Sequence, residues 1–358
     1  MKIVCTILAI ICFATSQVLA NPSLDVNLDR EQRAALVKSH ERAFQALAEK
    51  IRDPYITLGP DGMYYLTGTT AGSHWGDTIG IQLWRSKDLV DWDDMGYVWN
   101  LYKDGAEQDA WHLNQPVKNP QFKNPYALWA PEIHYKKGTW WIATCLNVSG
   151  HGLLRSVSGR PEGPYETIPR IGERGIDSHL FEDSDGTPYY LYQANKLARM
   201  TPDMSGLAED FVDLQHDGNH PLGYEGVYMM KLDHKYLFIA SGRYGYEPTN
   251  SYDLYYAVSK NLYGPYGPRR MALKNAGHGN LFQDKQGRWW STAFDHEFTD
   301  LWSLWLVPID VEITEEDILI SSKDPRFQPS EEDQTFVRQL AVDGVPAQWE
   351  GKAPWWLP

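Results

Sequence analysis

One phrase written five times sets the strongest limit on how this chain can fold. "DGMYYLTGT" from Asp61, "KKGTWWIATC" from Lys136, "SDGTPYYLYQ" from Ser184, "DHKYLFIASG" from Asp233 and "KQGRWWSTAF" from Lys285 each join a turn to an aromatic-rich strand. With Gly62, Gly138, Gly186, His234 and Gly287 as markers, the gaps are 76, 48, 48 and 53 residues. A period of about 50 is that of a four-stranded propeller blade. Each phrase would be a hairpin at the middle of a blade, its large side chains filling the space between neighbouring sheets. A polar insertion from Trp99 to Ala127 explains the wider first gap. The predicted fold is all-β: a five-bladed β-propeller over residues 52–310, preceded by an N-terminal α-helix. A sandwich of regular hairpins is the rival, but such similar wording fits a repeated unit better.

The flanks read differently. "MKIVCTILAIICFATSQVLA" has an early Lys2, an apolar run from Ile3 to Ala14 and a small-residue exit at Ala20. This is the pattern of a secretory signal over residues 1–20, so the protein is expected to be exported, periplasmic or extracellular. Ile11 before Cys12 argues against a lipid anchor, and no later run of about 18 apolar residues could span a membrane. Asn27 to Ile51 reads as one amphipathic helix with Leu36, Phe44, Leu47 and Ile51 among its apolar positions. That arm, residues 21–51, either packs on the main domain or serves a homodimer. Residues 311–358 hold no sixth echo and are expected to be a tail packed on the outside.

Composition narrows the partners. Cys5 and Cys12 lie in the leader, which leaves Cys145 alone and no internal disulfide in the mature chain. A net charge of −14 argues against nucleic acid or an anionic membrane as partner. The 15 Trp and 21 Tyr, with abundant Asp and Glu, suit an oligo- or polysaccharide, although aromatic β cores share this composition.

In a propeller the first strand of each blade lines the central channel. The strands before the five hairpins are "IRDPYITL" with Asp53, "LWAPEIHY" with Glu132, "GIDSHLFE" with Asp177, "GYEGVYMM" with Glu225 and "AGHGNLFQ" with His278. Each blade is thus expected to present a titratable residue to the axis at nearly the same register. No HExxH, paired-cysteine or phosphate-loop motif accompanies them, so no redox cofactor or nucleotide is indicated and none is expected to be required.

"RDPYI…DGMYYLTGT", "LWRSKDLVDW", "WAPEIHY", "IDSHLFEDSDG", "YEGVYM" and "GHGNLFQDKQGRWW", in this order between Arg52 and Asp310, resemble glycoside hydrolase family 43. That is the five-bladed propeller group of arabinofuranosidases and xylosidases. The resemblance implies Asp53 as general base, Glu225 as general acid and Asp177 as the residue that orients and tunes the acid. It implies a structural role for Glu132, and for His278 a channel position near a cation such as Ca2+ or a water cluster, with a plain hydrogen-bonded histidine equally open. It also implies inverting, exo-acting release of terminal α-L-arabinofuranosyl or β-D-xylosyl units from plant- or algal-type polysaccharides. The roles agree with simple electrostatics. Inversion needs one protonated and one ionised carboxyl group on opposite faces of the sugar. Asp177 beside Glu225 would raise the acid's pKa, whereas Arg52 and Pro54 would keep Asp53 ionised and fixed.

Expected sugar contacts are His74, Trp75, Trp129, Asn147, His151, Arg243 and Tyr244, by ring stacking or hydrogen bonding to hydroxyls. "NVS" at Asn147 is also a glycosylation sequon. Ser178-His179 stands where many relatives have a proline after the Asp, and the N-terminal helix is unusual for the family. These departures keep two alternatives in view, a related five-bladed hydrolase of marine galactans and a non-catalytic carbohydrate-binding propeller; a scaffold for protein partners would instead favour apolar rims and no acidic funnel.

Overall fold

Each repeated phrase becomes the turn and second strand of an antiparallel sheet in the computed structural model, which describes residues 26–70, 77–105, 127–147, 150–169, 171–172, 175–193, 195–218, 221–242, 251–294 and 303–343. After α1 (Arg30–Ser39) and β1 (Phe44–Lys50), blade one runs β2 (Arg52–Leu58), β3 (Tyr64–Thr69), β4 (Gly80–Ser86) and β5 (Trp92–Asn100). Blade two is β6 (Leu128–Lys136), β7 (Thr139–Leu146), β8 (Gly150–Ser156) and β9 (Tyr165–Thr167). Blade three is β10 (Ser178–Glu182), β11 (Pro188–Tyr192), β12 (Lys196–Arg199) and β13 (Val212–Asp213). Blade four is β14 (Glu225–Leu232), β15 (Lys235–Gly242), β16 (Asp253–Ser259) and β17 (Arg270–Leu273). Blade five is β18 (Leu281–Gln283), β19 (Trp289–Phe294) and β20 (Ser303–Ile313), completed by β1.

The predicted five-bladed propeller is therefore the fold. Its hairpins turn on Gly62, Gly138, Gly186 and Gly287, with φ between 75° and 83°, and on Asp233, with φ 56°. A Cβ at Gly62, Gly138 or Gly287 would touch nothing, so these turns select glycine by backbone conformation alone.

The aromatic residues do what an absent disulfide cannot. Tyr65, Ile81, Leu83, Ile133 and Trp140 fill the space between blades one and two, and Trp141, Leu153, Leu180 and Tyr190 fill the next. Similar clusters join the remaining pairs, including one that closes blade five onto blade one through Phe44, Ile56, Trp84 and Trp290. Hydrogen bonds add register. The amides of Ala130, Asp177 and His278 donate to Thr69 Oγ1 at 2.7 Å, Cys145 Sγ at 3.4 Å and Ser241 Oγ at 2.6 Å, each on the second strand of the preceding blade. Cys145 is thus a buried acceptor between blades.

One expectation about the flanks needs correction. The helix does not reach Ile51: it starts at a capping box between Asp29 and Gln32, ends with His40 in the left-handed region, and Phe44–Lys50 is a strand. An unpaired edge of β20 is a template for another strand, and pairing there outweighs the intrinsic helical preference of "FQALAEK". The helix itself lies on its own propeller. Leu36 and Val37 pack on the cluster joining blades five and one, and Arg30 and Arg33 reach Asp91 and the Val90 carbonyl. At the other end, β20 continues to Ile313 and pairs with β21 (Ile318–Ser322), and α2 (Glu331–Asp343) docks on β17 through Gln334.

Phe44 anchors the closing strand with no exposed surface. Phe44→Ala should cost about 3–5 kcal/mol in urea unfolding, as a fully buried phenylalanine does. A loss under about 1 kcal/mol would show that β1 is not needed to close the ring.

Candidate active site

The five inner strands share a backbone device. Asp53, Ala130, Asp177, Gly226 and His278 all have positive φ, between 44° and 63°, at the start of their strands. In blades one, two and four this residue lies in a β-bulge, where pairing skips between Arg52 and Tyr55, Trp129 and Glu132, and Glu225 and Tyr228. A bulge bends the strand and re-aims the side chain. The expected common register therefore holds for Asp53, Asp177 and His278, while Glu225 lies one residue before the device and Glu132 two beyond it.

His278 stands between the two aspartates. Its Nδ1 lies 3.1 Å from Asp53 Oδ1 and 3.8 Å from Asp177 Oδ2, and the three side chains expose 10%, 10% and 5% of their surface for His278, Asp53 and Asp177. Asp53 Oδ2 also accepts from Thr69 Oγ1 at 2.7 Å, and Asp177 Oδ2 accepts from the Gly226 amide at 2.9 Å. Gly226 is required here, since a Cβ would press on the His278 ring at 3.0 Å.

Charge follows from this geometry. Burial disfavours the imidazolium, but the facing carboxylates of Asp177 and Asp53 outweigh it and raise the His278 pKa to about 10. Burial likewise works against ionised Asp53, yet His278, Arg52 and Thr69 hold it well below the usual carboxylate range. Burial and the neighbouring Asp53 push Asp177 up, while His278 and the Gly226 amide oppose this. Half-buried Glu225 rises to about 7, through burial first and the Asp177 charge second, with His278, Tyr252 and Arg52 opposing. Within the pair Asp177 and Glu225, the proton belongs on Glu225. Asp177 has the imidazolium and a backbone N–H to stabilise its charge.

Below this centre lies a second buried group. Glu132 Oε2 is 3.1 Å from His134 Nε2 and 2.7 Å from His179 Nδ1. His179 Nε2 is 3.1 Å from the Met229 carbonyl, which can only accept, so that nitrogen carries a proton. The 2.7 Å contact between Glu132 and His179 then requires one shared proton. Burial raises Glu132 and lowers His134 and His179, to about 4 and about 3, consistent with a neutral acid hydrogen-bonded to neutral imidazoles. The donor set could also hold a metal, with all three atoms within 4.8 Å of one another. Its contacts are those of hydrogen bonds, and the shared proton accounts for them. A calcium ion beside His278 would need six to eight oxygen ligands, toward which Asp53 and Asp177 offer carboxylate oxygens here.

The expected sugar contacts divide. His74, Trp75, Arg243 and Tyr244, like residues 106–126 of the Trp99–Ala127 insertion, lie outside the described residues. His151 does not face the channel. It is fully buried, stacked on Tyr190 and Tyr192, with Nδ1 2.8 Å from the Tyr190 hydroxyl; the aromatic interface between blades two and three claims it. Asn147 is also buried and ties β7 to β6, its Oδ1 accepting from the Ala127 amide at 3.1 Å, which leaves no room for a glycan at the sequon. Trp129 is buried to 6% exposure with Ala127, Cys145 and Ile176, so little of its indole is open. One functional neighbour escaped the sequence reading: Tyr252, whose hydroxyl donates to Glu225 Oε1 at 2.7 Å. "SYDLYY" carries no signal for it, because the contact with Glu225 forms only when β14 and β16 flank β15 within blade four.

Comparison with known proteins agrees with this architecture. The chain is 27% identical over 262 residues to the non-reducing end alpha-L-arabinofuranosidase BoGH43B of Bacteroides ovatus, covering 67% of this chain and 45% of that protein. It is 25% identical over 269 residues to a xylan 1,3-beta-xylosidase of Vibrio, covering 66% and 46%. The chain spans about half the length of the curated relatives it matches. Among solved structures, the family 43 protein BlXynB of Bacillus licheniformis superposes with a TM-score of 0.59 at 25% identity, covering 80% of this chain and 58% of that one. An endo-1,4-beta-xylanase of Bacteroides thetaiotaomicron gives 0.58 at 23%, covering 77% and 96%, a likeness of fold. The profile of Glycosyl hydrolases family 43 matches residues 46–298, through β19 and including Asp53, Glu132, Asp177 and Glu225, and the chain belongs to that family.

Proposed function

We propose that this protein is an inverting, exo-acting glycoside hydrolase that releases terminal α-L-arabinofuranosyl or β-D-xylosyl residues from plant- or algal-type polysaccharides. The observation that carries the reading is the convergence of Asp53 and Asp177, from different blades, on His278 at 3.1 and 3.8 Å, with Glu225 next to the Gly226 amide from which Asp177 accepts; this setting favours ionised Asp53 and pushes the Glu225 pKa up to about 7. In the reaction, Asp53 takes a proton from water as the water oxygen bonds to the anomeric carbon. The glycosidic C–O bond breaks, and the Glu225 proton passes to the leaving oxygen. Asp177 keeps that proton on Glu225 by repulsion, and His278 keeps Asp53 and Asp177 charged.

The names of the two curated relatives support a pentosidase. A galactan-type reading, in which a histidine replaces the acid, is less favoured, since His278 is committed to two aspartates and Glu225 is poised as acid. The intact set of three carboxyl groups likewise favours catalysis over a purely carbohydrate-binding propeller. Export belongs to the same proposal, resting on the apolar leader before Asn21; among the described residues no helix is long and apolar enough to cross a membrane.

Assay of aryl arabinofuranosides, xylosides and galactosides tests the reading. One pentoside should be cleaved, and Asp53→Ala and Glu225→Ala should each lower kcat/KM by about 10²–10⁴-fold. Polysaccharide binding without cleavage of any glycoside would instead support the binding propeller. The pH profile follows from the signs. Glu225 must be protonated, so kcat/KM should be full below about 7 and fall as pH rises through that value. Asp53 must be ionised, so the acid limb should lie well below the ordinary carboxylate range. Glu132→Gln should retain activity, because an amide can donate to His179 as the protonated acid does, whereas Glu132→Ala should lower the melting temperature by leaving buried histidines unpaired. Loss of activity in Glu132→Gln at unchanged stability would give Glu132 a chemical role.

A further inference from the structure

The hydroxyl of Tyr252 touches the acid itself, and the surroundings of Tyr252 are built to hold it there. Its hydroxyl lies 2.7 Å from Glu225 Oε1, and its own pKa is raised well above the usual value by burial and the Glu225 charge, so it stays protonated and donates. The segment is fixed on both sides. Asp253, the next residue, accepts from Ser251 Oγ at 2.9 Å and from the Asn275 amide at 2.9 Å. The Gly277 amide donates to the Tyr252 carbonyl at 2.9 Å, and a Cβ at Gly277 would lie 2.4 Å from the Tyr252 ring. The glycine before His278 is therefore what lets the tyrosine approach the acid. Phe294 flanks the ring at 5.8 Å between centroids.

We propose that Tyr252 is a positioning residue for proton donation, a reading that rests on Glu225 as the acid. With Oε1 occupied by the tyrosine O–H, the carboxylic proton resides on Oε2, the oxygen left to meet the leaving group. As that proton departs, negative charge grows on the Glu225 carboxylate and the Tyr252 hydrogen bond strengthens. The bond thus favours the transition state over the ground state, which is the condition for accelerating the chemical step. It also opposes the upward push of burial and Asp177, holding the Glu225 pKa near neutrality.

The test compares leaving groups in the wild type, Tyr252→Phe and Glu225→Gln. Alkyl and sugar leaving groups need protonation, whereas 2,4-dinitrophenolate does not. Tyr252→Phe should lower kcat about 10- to 100-fold for the former and less than about threefold for the latter, with the basic limb of the pH profile moved upward. An equal loss across leaving groups with an unmoved limb overturns the proposal. Should Glu225→Gln also be indifferent to the leaving group, the acid assignment itself falls; should Glu225→Gln discriminate while Tyr252→Phe does not, only the role of Tyr252 falls. A readout independent of substrate is the 13C carboxyl titration of Glu225, assigned by its loss in Glu225→Gln. Its midpoint should rise in Tyr252→Phe, and an unchanged midpoint counts against the proposal. If the Phe variant does not fold, 3-fluorotyrosine at position 252, a stronger donor of nearly the same shape, should lower that midpoint, and an unmoved midpoint overturns the proposal.

Discussion

A histidinium held between two aspartates is the interaction on which the rest of this site depends. His278 neutralises part of the charge that Asp53 and Asp177 bring into a buried channel, and without it two carboxylates from different blades could not both stay ionised there. Its position is set by backbone features before any electrostatics. Gly226 leaves space for the ring, and the Ser241 hydroxyl accepts its amide. The chemistry then divides by environment. Asp53, closest to the imidazolium, is held ionised, as the proposed base must be; Glu225, buried and repelled by Asp177, is pushed up to about 7, as the proposed acid must be.

The propeller supplies this arrangement by repetition with variation. Five inner strands begin with the same left-handed residue, and in three of them that residue is Asp or His, types that tolerate this conformation better than most. In those three strands the backbone feature therefore also carries the titratable group, whereas Glu225 precedes it by one residue. The blades are tied by amide-to-side-chain bonds at equivalent places, so displacement of one blade would disturb the carboxylates of its neighbours.

Much of this was legible in the sequence. Turn glycines and aromatic strands at about 50-residue spacing announced five blades, because each blade must solve the same turn and the same inter-sheet packing. Asp53, Asp177 and Glu225 could be assigned motif by motif. What stayed hidden depends on contacts between distant segments. "FQALAEK" has apolar residues at helical spacing, and only the free edge of β20, more than 250 residues away, makes it a strand. His151 was expected to be a sugar contact but is stacked between blades on Tyr190 and Tyr192. Glu132 was expected to be structural; His134 lies two residues along the same strand, but its partner His179 became visible only once β6 and β10 lay side by side.

The central claim is that Asp53 activates water while Glu225 donates a proton, with no covalent glycosyl intermediate. The most direct measurement is proton NMR of the first sugar released from an anomerically pure pentoside, recorded before mutarotation. The account predicts that the product first appears with inverted anomeric configuration. Release with the configuration retained would mean that a carboxylate attacks the sugar, and would contradict the assignment of Asp53 as a base.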